Sequence, residues 1–252
     1  MVERKIDVFE VIGSSPIPPT MDIKIIYEDN DILVVDKPAE LIVFPEGDIS
    51  NEKTLIDYLT EENPKLTSVG DQPRYGIVHR LDKDTSGILL VAKNSESLIF
   101  LQKQFINREV EKKYLALAVG SIKEDKGEIK TLIGRAPGDK RKQKAYLPGD
   151  PGSEGKREAI TEYKVLERFE NYTLLEVEIK TGRKHQIRCH LSYIQHPIAG
   201  DKMYGFKNSP VPEDLNRQFL HAAYLKIKLL NGETKELKSN LPEELNKIIK
   251  KI

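Results

Sequence analysis

The chain has one cysteine, Cys189, in 252 residues. A single thiol excludes an internal disulfide framework and any multi-cysteine zinc site. No apolar run approaches the roughly 18 residues a membrane span needs, and residues 1–20 lack the apolar centre of a signal peptide. Net charge is absent too, with 40 Lys plus Arg against 40 Asp plus Glu. That argues against a nucleic-acid binder that is basic throughout, but leaves local patches open. There is no Gly-x-Gly-x-x-Gly and no Walker-type loop, so the usual nucleotide-cofactor signatures are missing. Nor does the chain have the composition of a disordered one, since 38 % of residues are hydrophobic and charges of both signs are interspersed. What remains is a cytoplasmic, soluble protein able to bury a core of its own.

Residues 1–20 read as an arm or linker, because Gly13-Ser14-Ser15-Pro16-Ile17-Pro18-Pro19 resists both helix and strand. From residue 21 to 252 one catalytic-size domain is the economical reading. Ile23–Tyr27 and Ile32–Asp36 flank a turn-like Glu28-Asp29-Asn30-Asp31 and predict a hairpin. Further strands are expected at Ile77–His79, Ile88–Ala92, Tyr114–Val119, Ile160–Leu166, Tyr172–Ile179 and Phe219–Leu229. In the Tyr172–Ile179 segment Leu175, Val177 and Ile179 alternate with Glu176 and Glu178, as in a sheet with one buried face. Helical spacing marks Leu55–Leu59, Leu98–Phe105, Ile187–Ile194 and a last helix opening at Pro242. Many strands with few helices predict an α+β fold with a mainly antiparallel sheet.

Three polar clusters stand out. The first, His79-Arg80-Leu81-Asp82-Lys83-Asp84-Thr85-Ser86-Gly87, lies between two apolar segments, where a scaffold fixes a carboxylate and a loop exposes it. By itself Asp82 reads first as ordinary turn chemistry, and only second as a functional carboxylate. The second, Lys180 to His190, carries four Lys or Arg and no acid, from a strand end through Gly182 into a helix. Arg183, Lys184 and backbone N–H groups at that helix start would suit phosphate oxygens, although a solvated basic helix end has the same composition. The third, Arg135 to Lys144, has five basic residues against Asp139 and reads as a mobile basic loop. His185, Cys189, His190 and His196 lack the partners and spacing of a zinc site, so no metal is expected.

Taken in order, these blocks resemble the RluA-type family of RNA pseudouridine synthases. Tyr75-Gly76-Ile77-Val78-His79-Arg80-Leu81-Asp82-Lys83-Asp84-Thr85-Ser86-Gly87 looks like that family's signature. It is followed by Val110-Glu111-Lys112-Lys113-Tyr114-Leu115-Ala116-Leu117, by Thr181 to Leu191, and by Phe219-Leu220-His221-Ala222-Ala223. Asp36-Lys37-Pro38 and His196-Pro197-Ile198-Ala199-Gly200-Asp201 match as well. The resemblance implies a pseudouridine synthase fold with a central RNA-binding cleft. It implies an isomerase that acts on uridine in ribosomal or transfer RNA without a cofactor. It makes Asp82 the catalytic carboxylate, Tyr114 the residue that stacks on the base, and Arg188 the partner of Asp82. Arg80, Arg183, Lys184 and His185 are the expected RNA contacts, and a monomer is the default. Attack by Asp82 on the uracil ring, attack on ribose carbon 1′ and assisted elimination at the sugar all stay open.

The sequence departs from the family at Ala39-Glu40-Leu41, where a glycine is common, and at Phe44, where a histidine is frequent. Both bear on substrate contacts more than on chemistry. The small RNA-binding domain that many relatives carry ahead of the catalytic one does not fit into twenty residues. Two alternatives are a catalytically silent RNA-binding or ribosome-assembly factor of the same fold, and a hydrolase using Asp82 and Asp84 as an acid–base pair.

Overall fold

The computed structural model describes residues 23–45 and 52–252, so the arm expected at 1–20 lies outside the described residues. β1 (Ile25–Glu28) and β2 (Ile32–Lys37) form the expected hairpin. Its turn is held by the Asp29 carboxylate, which accepts the N–H groups of Asp31 and Ile32 at 2.8 and 2.7 Å. β2 pairs with β3 (Ser86–Ala92), whose seven residues are all buried. The pleat explains how: Ile88, Leu90 and Ala92 enter one apolar cluster while Leu89 and Val91 enter the other. Leu98 and Leu101 of α2 (Ser95–Ile106) cover the first face. That helix starts where expected, with the Asn94 side chain accepting the Ser97 N–H.

The remaining strands are β4 (Glu111–Val119), β5 (Lys126–Arg135), β6 (Gln143–Tyr146), β7 (Arg157–Arg168), β8 (Tyr172–Ile179), β9 (Leu220–Lys228) and β10 (Thr234–Lys238). They continue one sheet in the order β1-β2-β3-β9-β4-β8-β7-β5-β6, with β10 also on β9. Every neighbouring pair is antiparallel except β3 and β9, which run parallel over Ser86–Gly87 and His221–Ala222. There Gly87 has φ 115°, and a Cβ on it would sit 2.3 Å from the Ala222 carbonyl oxygen. This close approach fixes the end of the polar segment that precedes β3. α1 (Leu55–Glu62), α3 (Gln186–Tyr193) and α4 (Glu243–Lys251) complete the α+β arrangement expected from the sequence. No helix among the described residues is long and apolar enough to cross a membrane.

Several expectations need correction. Ile77–His79 is no strand and makes one bridge, Ile77 to Val91. The Leu90 N–H is taken by the His79 ring (Nε2, 3.1 Å), so a side chain stands where a backbone ladder was expected. Within the basic run 135–144, residues 136–142 form a loop as expected, but Arg135 ends β5 and Gln143 and Lys144 begin β6, so the run is a hairpin whose ends lie in the sheet. β5 escaped notice because Ile129, Thr131 and Ile133 point inward between lysines and the glycines Gly127 and Gly134. Pro242 is the cap of α4 rather than its first helical residue, its extended ψ of 150° leaving its carbonyl to accept from Asn246.

Candidate active site

Residues 82–85 turn into the start of β3 at Ser86, and buried side chains hold them in place. Lys37, fully buried, donates from Nζ to the carbonyl oxygens of Pro38, Leu41 and Lys83 at 2.7, 2.8 and 3.0 Å. Arg217 donates to the Asp84 carbonyl at 3.0 Å and to the Ser86 hydroxyl at 3.0 Å. Gln218 donates to Thr85 Oγ1. These bonds leave the Asp82 carboxylate on the opposite, open side. Burial pushes the Lys37 ammonium down to about 7, and Arg217 adds to that, while Asp84 and Asp82 pull the other way.

The partner of Asp82 comes from α3. Arg188 Nη1 donates to Asp82 Oδ2 at 2.9 Å. The other edge of the same guanidinium grips Asp201, with Nε to Oδ2 at 2.7 Å and Nη2 to Oδ1 at 3.0 Å. Asp201 is completely buried and also accepts the N–H groups of Met203 and Tyr204. Burial alone would raise the Asp201 carboxyl, but the Arg188 bonds and the two N–H donors hold it below the usual range. Burial would likewise lower Arg188, and the two carboxylates more than reverse that, so its charge is fixed.

His185 precedes α3 in a left-handed conformation, φ 54°, which brings its ring over the same carboxylate. Tyr204 Oη accepts the Gln143 N–H at 2.6 Å, so its own proton goes to His185 Nδ1 at 3.0 Å. Burial drives the imidazole down to about 4, outweighing the pull of Asp82. On this hydrogen-bond network the neutral ring carries its proton on Nε2, 3.9 Å from Asp82 Oδ1. Tyr114, on β4, is buried beside Asp82, and burial followed by that negative charge raises its phenol well above the ordinary range. It stays a protonated, flat ring.

A cleft of about 800 Å³ opens over these groups. Asp82, Tyr114, Arg188, Arg80, Arg183, Lys184 and His185 all line it. Nine Lys or Arg line the cleft in all, and Asp82 is the only carboxylate among its described lining residues. One detail differs from expectation. The N–H of Arg183 bonds the Gln186 side chain at 3.0 Å, so the helix start does not present that donor to a ligand. The 135–144 hairpin tip does not line the cleft, although the charge of Arg135 is felt at Lys184. His190 sits between the hydroxyls of Thr131 and Thr161, and His196 bonds the Val119 carbonyl, so these rings face away from His185.

This geometry can be set beside known proteins. The model of the RNA pseudouridylate synthase family matches residues 31–193. The chain belongs to that family. Members of the family are isomerases that convert uridine to pseudouridine in RNA, the enzyme class and the RNA-modifying function expected from the motifs. An uncharacterized RNA pseudouridine synthase of Aquifex aeolicus is 46% identical over 200 residues, 79% of this chain and 61% of that protein. The ribosomal large subunit pseudouridine synthase D of Nitrosomonas europaea is 40% identical over 237 residues, 91% of this chain and 65% of that protein. The chain therefore spans less than two thirds of either relative's length. Among solved structures, human RNA pseudouridylate synthase domain containing 1 superposes with a TM-score of 0.71 at 30% identity, over 90% of this chain and 86% of that one.

Sequence reasoning missed some of what a pseudouridine synthase family member places here. Asp201 lies in a block that matches the family, yet nothing in the sequence ties it to Arg188, which meets it only after the chain turns through Tyr193 and Pro197. Tyr204 has no local signal at all. Lys112, Arg74, Arg108 and Arg157 also line the cleft from four different places in the chain.

Proposed function

We propose that this chain isomerises a uridine of large-subunit ribosomal RNA to pseudouridine, with Asp82 as the catalytic carboxylate and residues 21–252 as one catalytic domain. The observation that carries the reading is Asp82, the one carboxylate among the described residues lining a cleft that nine Lys or Arg also line. A polyanion is attracted into such a cleft, and Asp82, paired with and oriented by Arg188, is the acid placed to act on what enters. The printed name of the Nitrosomonas relative supports the choice of large-subunit RNA.

In the reaction the bond between ring nitrogen 1 and ribose carbon 1′ breaks, and one between ring carbon 5 and carbon 1′ forms. The proton on carbon 5 is lost and nitrogen 1 gains one, so nothing is oxidised and no group departs. A uridine within RNA has to leave its stack to reach Asp82. Tyr114 stacks on the flipped ring and holds it while it is detached. Its raised phenol suits stacking or donation, and makes it a poor acceptor for the carbon 5 proton. Asp82 acts on the ring, on carbon 1′ or by assisting elimination, with Arg188 orienting it and balancing its charge. Arg80, Arg183, Lys184 and His185 hold the flanking backbone.

The test is tritium release from RNA labelled at uracil carbon 5, offering large-subunit ribosomal and transfer RNA separately. Release from the ribosomal transcript alone is expected. Release from transfer RNA alone overturns the substrate, and binding without release from either favours the silent RNA-binding alternative.

A further inference from the structure

Buried cations near the cleft are lavishly bonded, with one exception. Lys37 makes three hydrogen bonds to carbonyls, and Arg188 three to carboxylates. Lys112 is buried to nine-tenths, its residue only 9 % exposed, and lines the cleft. Its ammonium makes no hydrogen bond or ion pair with any described residue. It lies over the face of Phe105, 5.1 Å from the ring centre, and Phe105 is itself stacked on His79. His79 offers no acceptor, because burial and then Lys112 hold it neutral and its Nε2 already takes the Leu90 N–H. A compact, strongly hydrated ammonium that is mostly buried, makes no hydrogen bond with a described residue and reaches the cleft is poised for an anion from outside.

Its place decides which anion. Lys112 and Tyr114 are two residues apart on β4, so their side chains share one face of the strand. Two residues span about 7 Å, the scale on which a nucleotide's base and its phosphate are separated. We propose that Lys112 seats a backbone phosphodiester of the bound RNA, one nucleotide's reach from the uridine stacked on Tyr114. The Phe105 ring beneath holds the ammonium in position before the RNA arrives. The inference rests on the RNA-modifying function proposed above and adds a contact to it. Burial lowers the ammonium to about 8 despite the opposing pull of Glu178.

The experiment is fluorescence anisotropy with a labelled 20-nucleotide oligouridylate over a potassium chloride series, for wild type, Lys112→Arg, Lys112→Gln and Lys112→Met. Each phosphate contact adds about 0.7 to the slope of log affinity against log salt for a single strand. Wild type and Lys112→Arg should share one slope. Lys112→Gln and Lys112→Met should both be shallower by about 0.7 and about tenfold weaker in 0.1 M salt. A weaker but parallel line would mean a contact to an uncharged group such as a uracil carbonyl, and overturns the phosphate assignment. Unchanged binding in both variants overturns any RNA contact by Lys112, while leaving the isomerase reading intact. Wild type that binds no RNA even at the lowest salt overturns both readings. Two variants of different polarity, each checked by circular dichroism, separate a lost contact from a lost fold.

Discussion

Asp201 grips Arg188 with two parallel hydrogen bonds, 2.7 and 3.0 Å long, and so decides where the remaining nitrogen of the guanidinium meets Asp82. A single bond would let the plane swing; the bidentate pair fixes it. Asp201 does not itself line the cleft and bears on Asp82 through Arg188. Asp201→Asn should therefore lower kcat by about 10- to 100-fold with KM changed little. It should also lower stability by about 3–5 kcal/mol, since it leaves a buried cation half compensated. Steady-state tritium release and urea melts check the two. A loss confined to KM would mean that Asp201 shapes RNA binding instead.

Removing the charge of Asp82 itself should separate turnover from binding more sharply still. Asp82→Asn keeps the shape of the side chain and should cut isomerisation by more than about a thousandfold. RNA affinity should stay the same or rise, because the only carboxylate among the described residues lining a basic cleft is gone. Filter binding beside tritium release measures both. Turnover near the wild-type rate would remove Asp82 from the mechanism.

How the site was legible follows from what each residue needs. Asp82, Tyr114 and Arg188 stand inside long matching blocks, and each block is a local piece of strand or helix whose pattern survives in one dimension. The sheet was legible for the same reason wherever apolar residues run unbroken, as in Leu89-Leu90-Val91, or alternate, as in Leu175-Glu176-Val177. It was lost in Gly127 to Gly134, where the inward Ile129, Thr131 and Ile133 are interrupted by Lys130 and bounded by glycines. Asp201 and Tyr204 could not be read at all. Their meaning lies in contacts across the fold, Asp201 with α3 and Tyr204 with His185 and the β6 backbone. His79 misled in the other direction, since a buried imidazole accepting Leu90 N–H looks in sequence like the end of a strand.

Lys37 carries a prediction about the loop beneath Asp82. Lys37→Met removes the donor to three carbonyls, two in residues 38–41 and one at Lys83. Methionine fills the space but cannot bond, and the deserted acceptors should cost about 2–4 kcal/mol in total. The expected signature is local: amide hydrogen exchange should speed up across residues 82–86 more than in β8, and kcat should fall with the loss of order. Uniformly faster exchange over the whole sheet would show that Lys37 supports the fold in general and not this segment.

Lys112 should behave in the reverse way, because among the described residues no hydrogen bond or ion pair offsets the cost of its burial. Folding lowers the ammonium from an ordinary 10.5 to about 8. Between those values the unfolded chain binds more protons than the folded one, so this group makes stability rise with pH across that window. Below pH 8 both states carry the proton and the cost is felt in full, amounting to as much as about 3 kcal/mol. Lys112→Met escapes it. The variant should therefore be more stable than wild type at pH 7, and the gap should close as the pH rises from 8 towards 10.5. Urea melts at pH 7, 9 and 10.5 measure this directly. A residue that loosens the empty enzyme and tightens its hold on RNA is what a binding group looks like when its counterion comes from the substrate. If Lys112→Met were instead the less stable protein at pH 7, the Phe105 contact would already compensate the charge, and the ammonium would have to be counted as part of the core.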